Sequence, residues 1–133
     1  MQEVVCGPSQ PAEADELTLV FVYGTLMMGE PNNHLLDDSA FLMGDETYPD
    51  YTMLDLGYFP GVVTGGTTTI KGEVYQVDAD TLERLDQLES HPIFYRRTNI
   101  MLKSGRDASI YLLQKKYQDA LYPCIPTGNW RTR

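Results

Sequence analysis

Apolar positions along this chain fall in short blocks or alternate. They rarely recur at helical spacing, so the pattern predicts strands with one clear helix. Leu17-Thr18-Leu19-Val20-Phe21-Val22-Tyr23 is apolar, rich in β-formers and hardly alternating, as in a strand buried on both faces, and Gly24 ends it. Further strands are expected over Phe41 to Thr47, Tyr51 to Asp55 and Thr67 to Val77, the last with Gly72 at a bulge. Asn32 to Leu36 reads as a short capped helical turn, and Gly57-Tyr58-Phe59-Pro60-Gly61 and Gly65-Gly66 read as turns. Tyr95 to Leu102 and Ala108 to Leu113 form a strand pair around Ser104-Gly105-Arg106-Asp107.

The helix begins at Asp80, where Asp80 and Glu83 form a variant capping box. Leu82, Leu85 and Leu88 supply its apolar stripe, and Pro92 stops it. Strands without regular βαβ alternation argue against a doubly wound sheet. The expected fold is α+β, a small mixed barrel or curled sheet with a helix against it. Residues 1–16 carry two prolines and several acids, which predicts a flexible N-terminal extension before a single domain over 17–133. The tail from Tyr117, with two prolines and Trp130, is expected to be irregular but packed.

Composition narrows the function by exclusion. Acidic residues outnumber basic ones by 19 to 10, and the net charge of -9 repels phosphate backbones and anionic lipid. No nucleic-acid or membrane partner is expected, since there is no basic patch and no apolar run long enough to span a bilayer. Cys6 and Cys124 are too few for a disulfide framework, have no metal-ligand spacing and suit a reducing cytoplasm. Cys124 reads as a half-buried small hydrophobe. The N-terminus lacks the layout of a signal peptide. His34 and His91 make no metal-binding pair, and no serine nucleophile motif occurs.

Three features can carry chemistry. Glu89 follows Leu82 and Leu85 at i+7 and i+4, so a carboxylate sits on the apolar stripe, at the helix end where the macrodipole disfavours negative charge. Both effects raise its pKa towards that of a useful general base. On this geometry alone, a glutamate reaching solvent from a fraying helix end is the slightly better reading. Tyr23-Gly24-Thr25-Leu26 follows the buried strand, where successive N–H groups can form a nest for an anion or oxyanion; an ordinary turn is the plainer alternative. Tyr95-Arg96-Arg97 alternates, with Tyr95 and Arg97 on one face, and one arginine can pair with a substrate carboxylate. Glu73, mid-strand, is the rival carboxylate, either a second site residue or a partner for a buried donor.

Taken in order, Val20-Phe21-Val22-Tyr23-Gly24-Thr25-Leu26, Asn33-His34, Gly72-Glu73-Val74-Tyr75, and Leu85-Asp86-Gln87-Leu88-Glu89-Ser90-His91-Pro92 with Tyr95 and Arg97 resemble the γ-glutamylcyclotransferase-like family. The likeness is greatest to its γ-glutamylamine cyclotransferase, AIG2-like branch. It runs from about Leu17 to Leu113, and Ile125 to Trp130 is similar to the ends of some bacterial members. The resemblance implies a small mixed β-barrel with flanking helices, no cofactor and no metal, and a small-molecule γ-glutamyl substrate. It implies a γ-glutamyl amide cyclised to 5-oxoproline with release of a free amine. Glu89 is then the catalytic acid/base, and Tyr23, Gly24, Thr25, Leu26, Tyr95 and Arg97 bind substrate. A monomer or weak dimer in the cytoplasm is expected. Met27-Met28 stand where many relatives carry a basic residue, and the segment from Asp55 to Thr69 departs from the branch that handles γ-glutamyl-lysine. Those loops are expected to shape the leaving-group pocket. The competing expectation is a catalytically silent module of the same fold that binds γ-glutamyl ligands or regulates.

Overall fold

Val20, Phe21 and Val22 are consecutive and all buried, so the first strand is covered on both faces, as its unalternating composition predicts. The computed structural model describes residues 17–133; the expected extension over 1–16 lies outside them. The chain runs β1 (Thr18–Val22), β2 (Ala40–Glu46), β3 (Tyr51–Asp55), β4 (Pro60–Thr64), β5 (Lys71–Val77), α1 (Ala79–Leu88), β6 (Tyr95–Met101) and β7 (Asp107–Leu113). A five-stranded sheet has the order β2-β5-β1-β7-β6, and β3 and β4 form a separate hairpin. β1 is central, antiparallel to β5 and parallel to β7.

The α+β class holds, and the barrel is incomplete. The edge strands β2 and β6 approach through a bridge between Thr47 and Leu102, helped by an ion pair between Lys103 and Glu46, and do not otherwise pair. The β3–β4 hairpin packs over the sheet, with Gly61 so close to Leu113 that an added Cβ would lie 3.0 Å from its Cδ2.

Several local expectations are corrected. β4 was not anticipated: Pro60-Gly61 reads as part of a turn, yet Pro60, Gly61, Val62 and Val63 are buried and pair with β3. Its five residues lie between glycine-rich turns, which hides so short a strand. The 67–77 strand is formed only over Lys71–Val77. The bulge lies in β2, between Phe41 and Met43, not at Gly72. Gly72 is required for another reason, because a Cβ there would press into the Val22 carbonyl oxygen and lie 2.7 Å from Phe21 Cζ. Asp78, not Asp80, caps α1, accepting from the Thr81 N–H at 2.8 Å. The buried face of α1 centres on Thr81 and Leu85, while Leu88 is 40% exposed. The turn after β1 forms a 3₁₀ helix over Asn33–Leu36, but the Asn32 side chain does not cap it. Cys124 is exposed rather than half-buried. No helix among the described residues is long and apolar enough to cross a membrane.

The close approach at Gly72 predicts a selective cost. Gly72→Ala is expected to lower stability by about 1–3 kcal/mol, through displacement of β1. Gly44→Ala, where the nearest atom is an ordinary 3.7 Å away, is expected to be neutral or mildly stabilising. Thermal unfolding of both variants checks this; equal effects would contradict it.

Candidate active site

The end of α1 is built to present Glu89. The Ser90 N–H donates to Gln87 O and the His91 N–H to Asp86 O, with Ser90 left-handed at φ 52. These bonds close the helix as a Schellman motif, with serine in the place glycine usually takes. The chain then folds back through a cis His91-Pro92 bond, and the Tyr95 N–H donates to Glu89 O. The backbone of Glu89 is therefore held from both sides.

A second anchor fixes this corner to the sheet. Asp86 accepts from Arg97 through Nε at 2.9 Å and Nη2 at 3.0 Å, and from the Tyr111 hydroxyl at 2.6 Å. Partial burial alone would raise the Asp86 carboxyl, but the hydrogen bonds from Arg97 and Tyr111 and the Arg97 charge outweigh it and hold it below the ordinary carboxylate range. His91 Nδ1 accepts from the Arg97 N–H at 3.0 Å. Asp86 and Tyr111 escape the sequence reading. The signal for Asp86 was available: it stands three residues before Glu89, in reach of an inward-facing Arg97.

Beside this corner lies a cavity of about 670 Å³. Of the expected site residues, Glu89, Tyr23, Gly24, Thr25, Leu26 and Tyr95 all line it. Arg97 does not; Asp86 engages its guanidinium. Arg96 is exposed on the other face of β6. Glu73 lies apart, accepting from the Met28 N–H, the Tyr75 hydroxyl and Arg131, which is the environment of a structural partner.

The turn after β1 supplies donors. Gly24, Thr25 and Leu26 present N–H groups that find no acceptor among the described residues, while their carbonyl side is used: Gly24 O accepts from Met27 and Thr25 O from Asn32. All three residues line the cavity, so these N–H groups are candidate donors to an anion there. Gly24 is needed because a Cβ would lie 2.7 Å from the Pro60 ring. Pro60 in turn accepts from the Tyr95 hydroxyl at 2.6 Å, so β4, β6 and the turn after β1 are cinched around one volume. The Tyr23 hydroxyl donates to Tyr111 O at 2.6 Å.

Electrostatics single out one group. Burial raises the Glu89 carboxyl to about 7, and no described residue donates to it. Burial likewise pushes the hydroxyls of Tyr23, Tyr95 and Tyr111 well up, with the Glu89 charge adding to each, so these remain neutral donors. Among the described residues Glu89 is the one carboxyl of the cavity wall, and it is poised to exchange a proton near neutrality.

Comparison with known proteins places this geometry. A family model described as "Gamma-glutamyl cyclotransferase, AIG2-like" matches residues 20–132. A Vibrio cholerae protein is 45% identical over 115 residues, covering 86% of this chain and 96% of its own length. The human protein named "Gamma-glutamylaminecyclotransferase" is 34% identical over 121 residues, covering 84% of this chain and 74% of its own. The crystal structure of a mouse AIG2-like protein superimposes with a TM-score of 0.71 at 25% identity, covering 84% of this chain and 87% of that one.

The raised Glu89 carboxyl has a consequence for stability. The folded protein keeps a proton on Glu89 up to about pH 7, whereas the unfolded chain loses it near the ordinary value of 4.5. The Glu89 contribution to stability is therefore full below pH 4.5 and is lost as pH rises to about 7. Glu89→Gln is expected to match the wild type at pH 4 and to exceed it by up to about 3 kcal/mol at pH 8. Denaturant unfolding at the two pH values checks this; an equal effect at both would contradict the buried, unpaired carboxylate.

Proposed function

The chain belongs to the AIG2-like γ-glutamyl cyclotransferase family and is an enzyme of that type, and on that footing we propose that it cyclises γ-glutamyl amides, releasing 5-oxoproline and a free amine, with Glu89 as the acid and base. The observation that carries this reading is the unpaired Glu89 carboxyl, raised to about 7, in one cavity with the free N–H groups of Gly24, Thr25 and Leu26.

The nucleophile comes from the substrate. Its α-amine attacks its own γ-carbonyl carbon, forming the C–N bond of a five-membered ring. The α-amine is mostly protonated near neutral pH, so a base must take a proton, and Glu89 is matched to that task. The carbonyl oxygen gains charge as the ring closes, and the nest N–H groups would stabilise it by about 3–4 kcal/mol per donor. Glu89 then returns that proton to the leaving nitrogen and takes the second proton from the ring nitrogen. The original amide C–N bond breaks as the carbonyl re-forms, the released amine leaves with the remaining proton as an ammonium ion, and no water is consumed. Holding the γ-glutamyl chain curled supplies the orientation that an open chain in water lacks.

Arg97 has a positioning role in this reading. Its side chain is spent on Asp86, which fixes the helix end that carries Glu89. Tyr23 and Tyr95 shape the wall that receives the substrate, with their hydroxyls donating to Tyr111 O and Pro60 O.

The test is incubation with a panel of γ-glutamyl amides and detection of 5-oxoproline. Glu89→Gln is expected to lower kcat by about 10²–10⁴-fold with little change in substrate affinity, because glutamine cannot take the proton. The wild-type rate is expected to rise with pH through a midpoint near 7, set by the Glu89 carboxyl. Binding without product would leave a silent ligand-binding module, and near wild-type kcat in Glu89→Gln would remove the acid/base assignment.

A further inference from the structure

The cavity wall changes character with depth. Phe21, Tyr23, Leu26, Tyr95 and Tyr111 are each at most 6% exposed and form its inner part, beside the nest and Glu89. Tyr58, Phe59, Leu88 and Phe94 also line it but reach solvent, with Tyr58 93%, Phe59 38% and Leu88 40% exposed. These four form the rim.

The rim is an aromatic assembly. Phe59 and Phe94 meet edge to face with centroids 6.3 Å apart, and Phe94 stacks in turn near Tyr95 at 4.9 Å and Tyr117 at 4.7 Å. Phe59 comes from the β3–β4 loop and Phe94 from the segment between α1 and β6, so two distant stretches of chain build one surface. Among the lining residues the one charged side chain is Glu89. Arg97 is held by Asp86, and neither Arg96, Lys115 nor Lys116 lines the cavity.

A γ-glutamyl amide has two ends, joined at the reacting carbonyl. The γ-glutamyl end needs the polar nest and Glu89, so the leaving amine must extend towards the rim. A carboxylate on that amine would meet apolar rings, the Glu89 charge and no cation. A second ammonium would meet the faces of the same rings and the Glu89 charge, both of which attract a cation. The carboxylate alone is left without a partner. A flat or branched hydrocarbon would be covered by Phe59 and Phe94.

We propose that the rim formed by Tyr58, Phe59, Leu88 and Phe94 is a leaving-group subsite that selects apolar amines over amines that carry a carboxylate. The proposal rests on the cyclotransferase reading and adds the class of amine released.

Two γ-glutamyl amides test it: those of benzylamine and of glycine, which place an uncharged ring and a carboxylate one carbon from the amide nitrogen. The benzylamide is expected to show kcat/KM at least about tenfold above the glycine compound, carried mainly by KM. Tyr58→Ser and Phe59→Ser, each made alone at a solvent-reaching position, are expected to shrink that ratio. Calorimetric binding of the same two compounds to Glu89→Gln reads the preference without turnover, with the same order expected. Equal or better use of the glycine compound, in turnover or in binding, would overturn the subsite. Absence of 5-oxoproline from both would overturn the cyclotransferase reading, while the calorimetric order would still decide the subsite.

Discussion

The Asp86 carboxylate is the tie on which the site's geometry depends. It receives both arms of Arg97 from β6 and the hydroxyl of Tyr111 from β7, and its own carbonyl closes the helix by accepting from His91. One residue thus joins α1 to two strands and sets where the helix stops. Glu89 follows three residues later, beyond the last turn of α1, and has no comparable partner. The contrast between these carboxyls is one of environment: Asp86 is hydrogen-bonded and held low, whereas Glu89 is desolvated and raised to about 7. The pair follows a pattern common in catalytic sites, in which neighbouring acids are driven apart so that one stays ionised and one exchanges protons.

The burial that raises Glu89 also costs stability near neutral pH, since a charge without a partner opposes folding. The surrounding structure offsets this through packing at positions that admit no substitute. Gly24 against the Pro60 ring and Gly72 against β1 are two such contacts. Gly24 lets the turn after β1 close against the cavity wall, and Gly72 lets β5 approach β1.

Much of this was legible in the sequence, for identifiable reasons. β1 announced itself by unbroken burial, β3 by its bounded apolar run, and the β6–β7 hairpin by alternation around a glycine turn. Helical periodicity put Glu89 on the apolar stripe but still favoured a side chain reaching solvent; the family resemblance reversed that, and Glu89 lines the cavity. What stayed hidden depended on contacts distant in sequence or on very short elements. β4 occupies five residues behind a Pro-Gly pair, and the cap at Asp78 competes with two nearby acids, Asp80 and Glu83, that fit the same signature. The role of Arg97 could not be settled from one strand, because its partner lies on a helix eleven residues earlier. The aromatic rim was likewise invisible: Tyr58 and Phe59 sit in a turn whose partner surface, Phe94, is supplied from beyond α1.

The central claim is that Glu89 is a desolvated carboxyl poised to exchange protons near neutrality, and its own titration tests this most directly. In protein labelled with ¹³C at the glutamate side-chain carboxyls, the Glu89 resonance is identified by its absence from Glu89→Gln. The account predicts a chemical-shift midpoint of about 7 for that signal. A midpoint in the ordinary carboxylate range, near 4.5, would mean a solvated side chain at a helix end and would contradict the account.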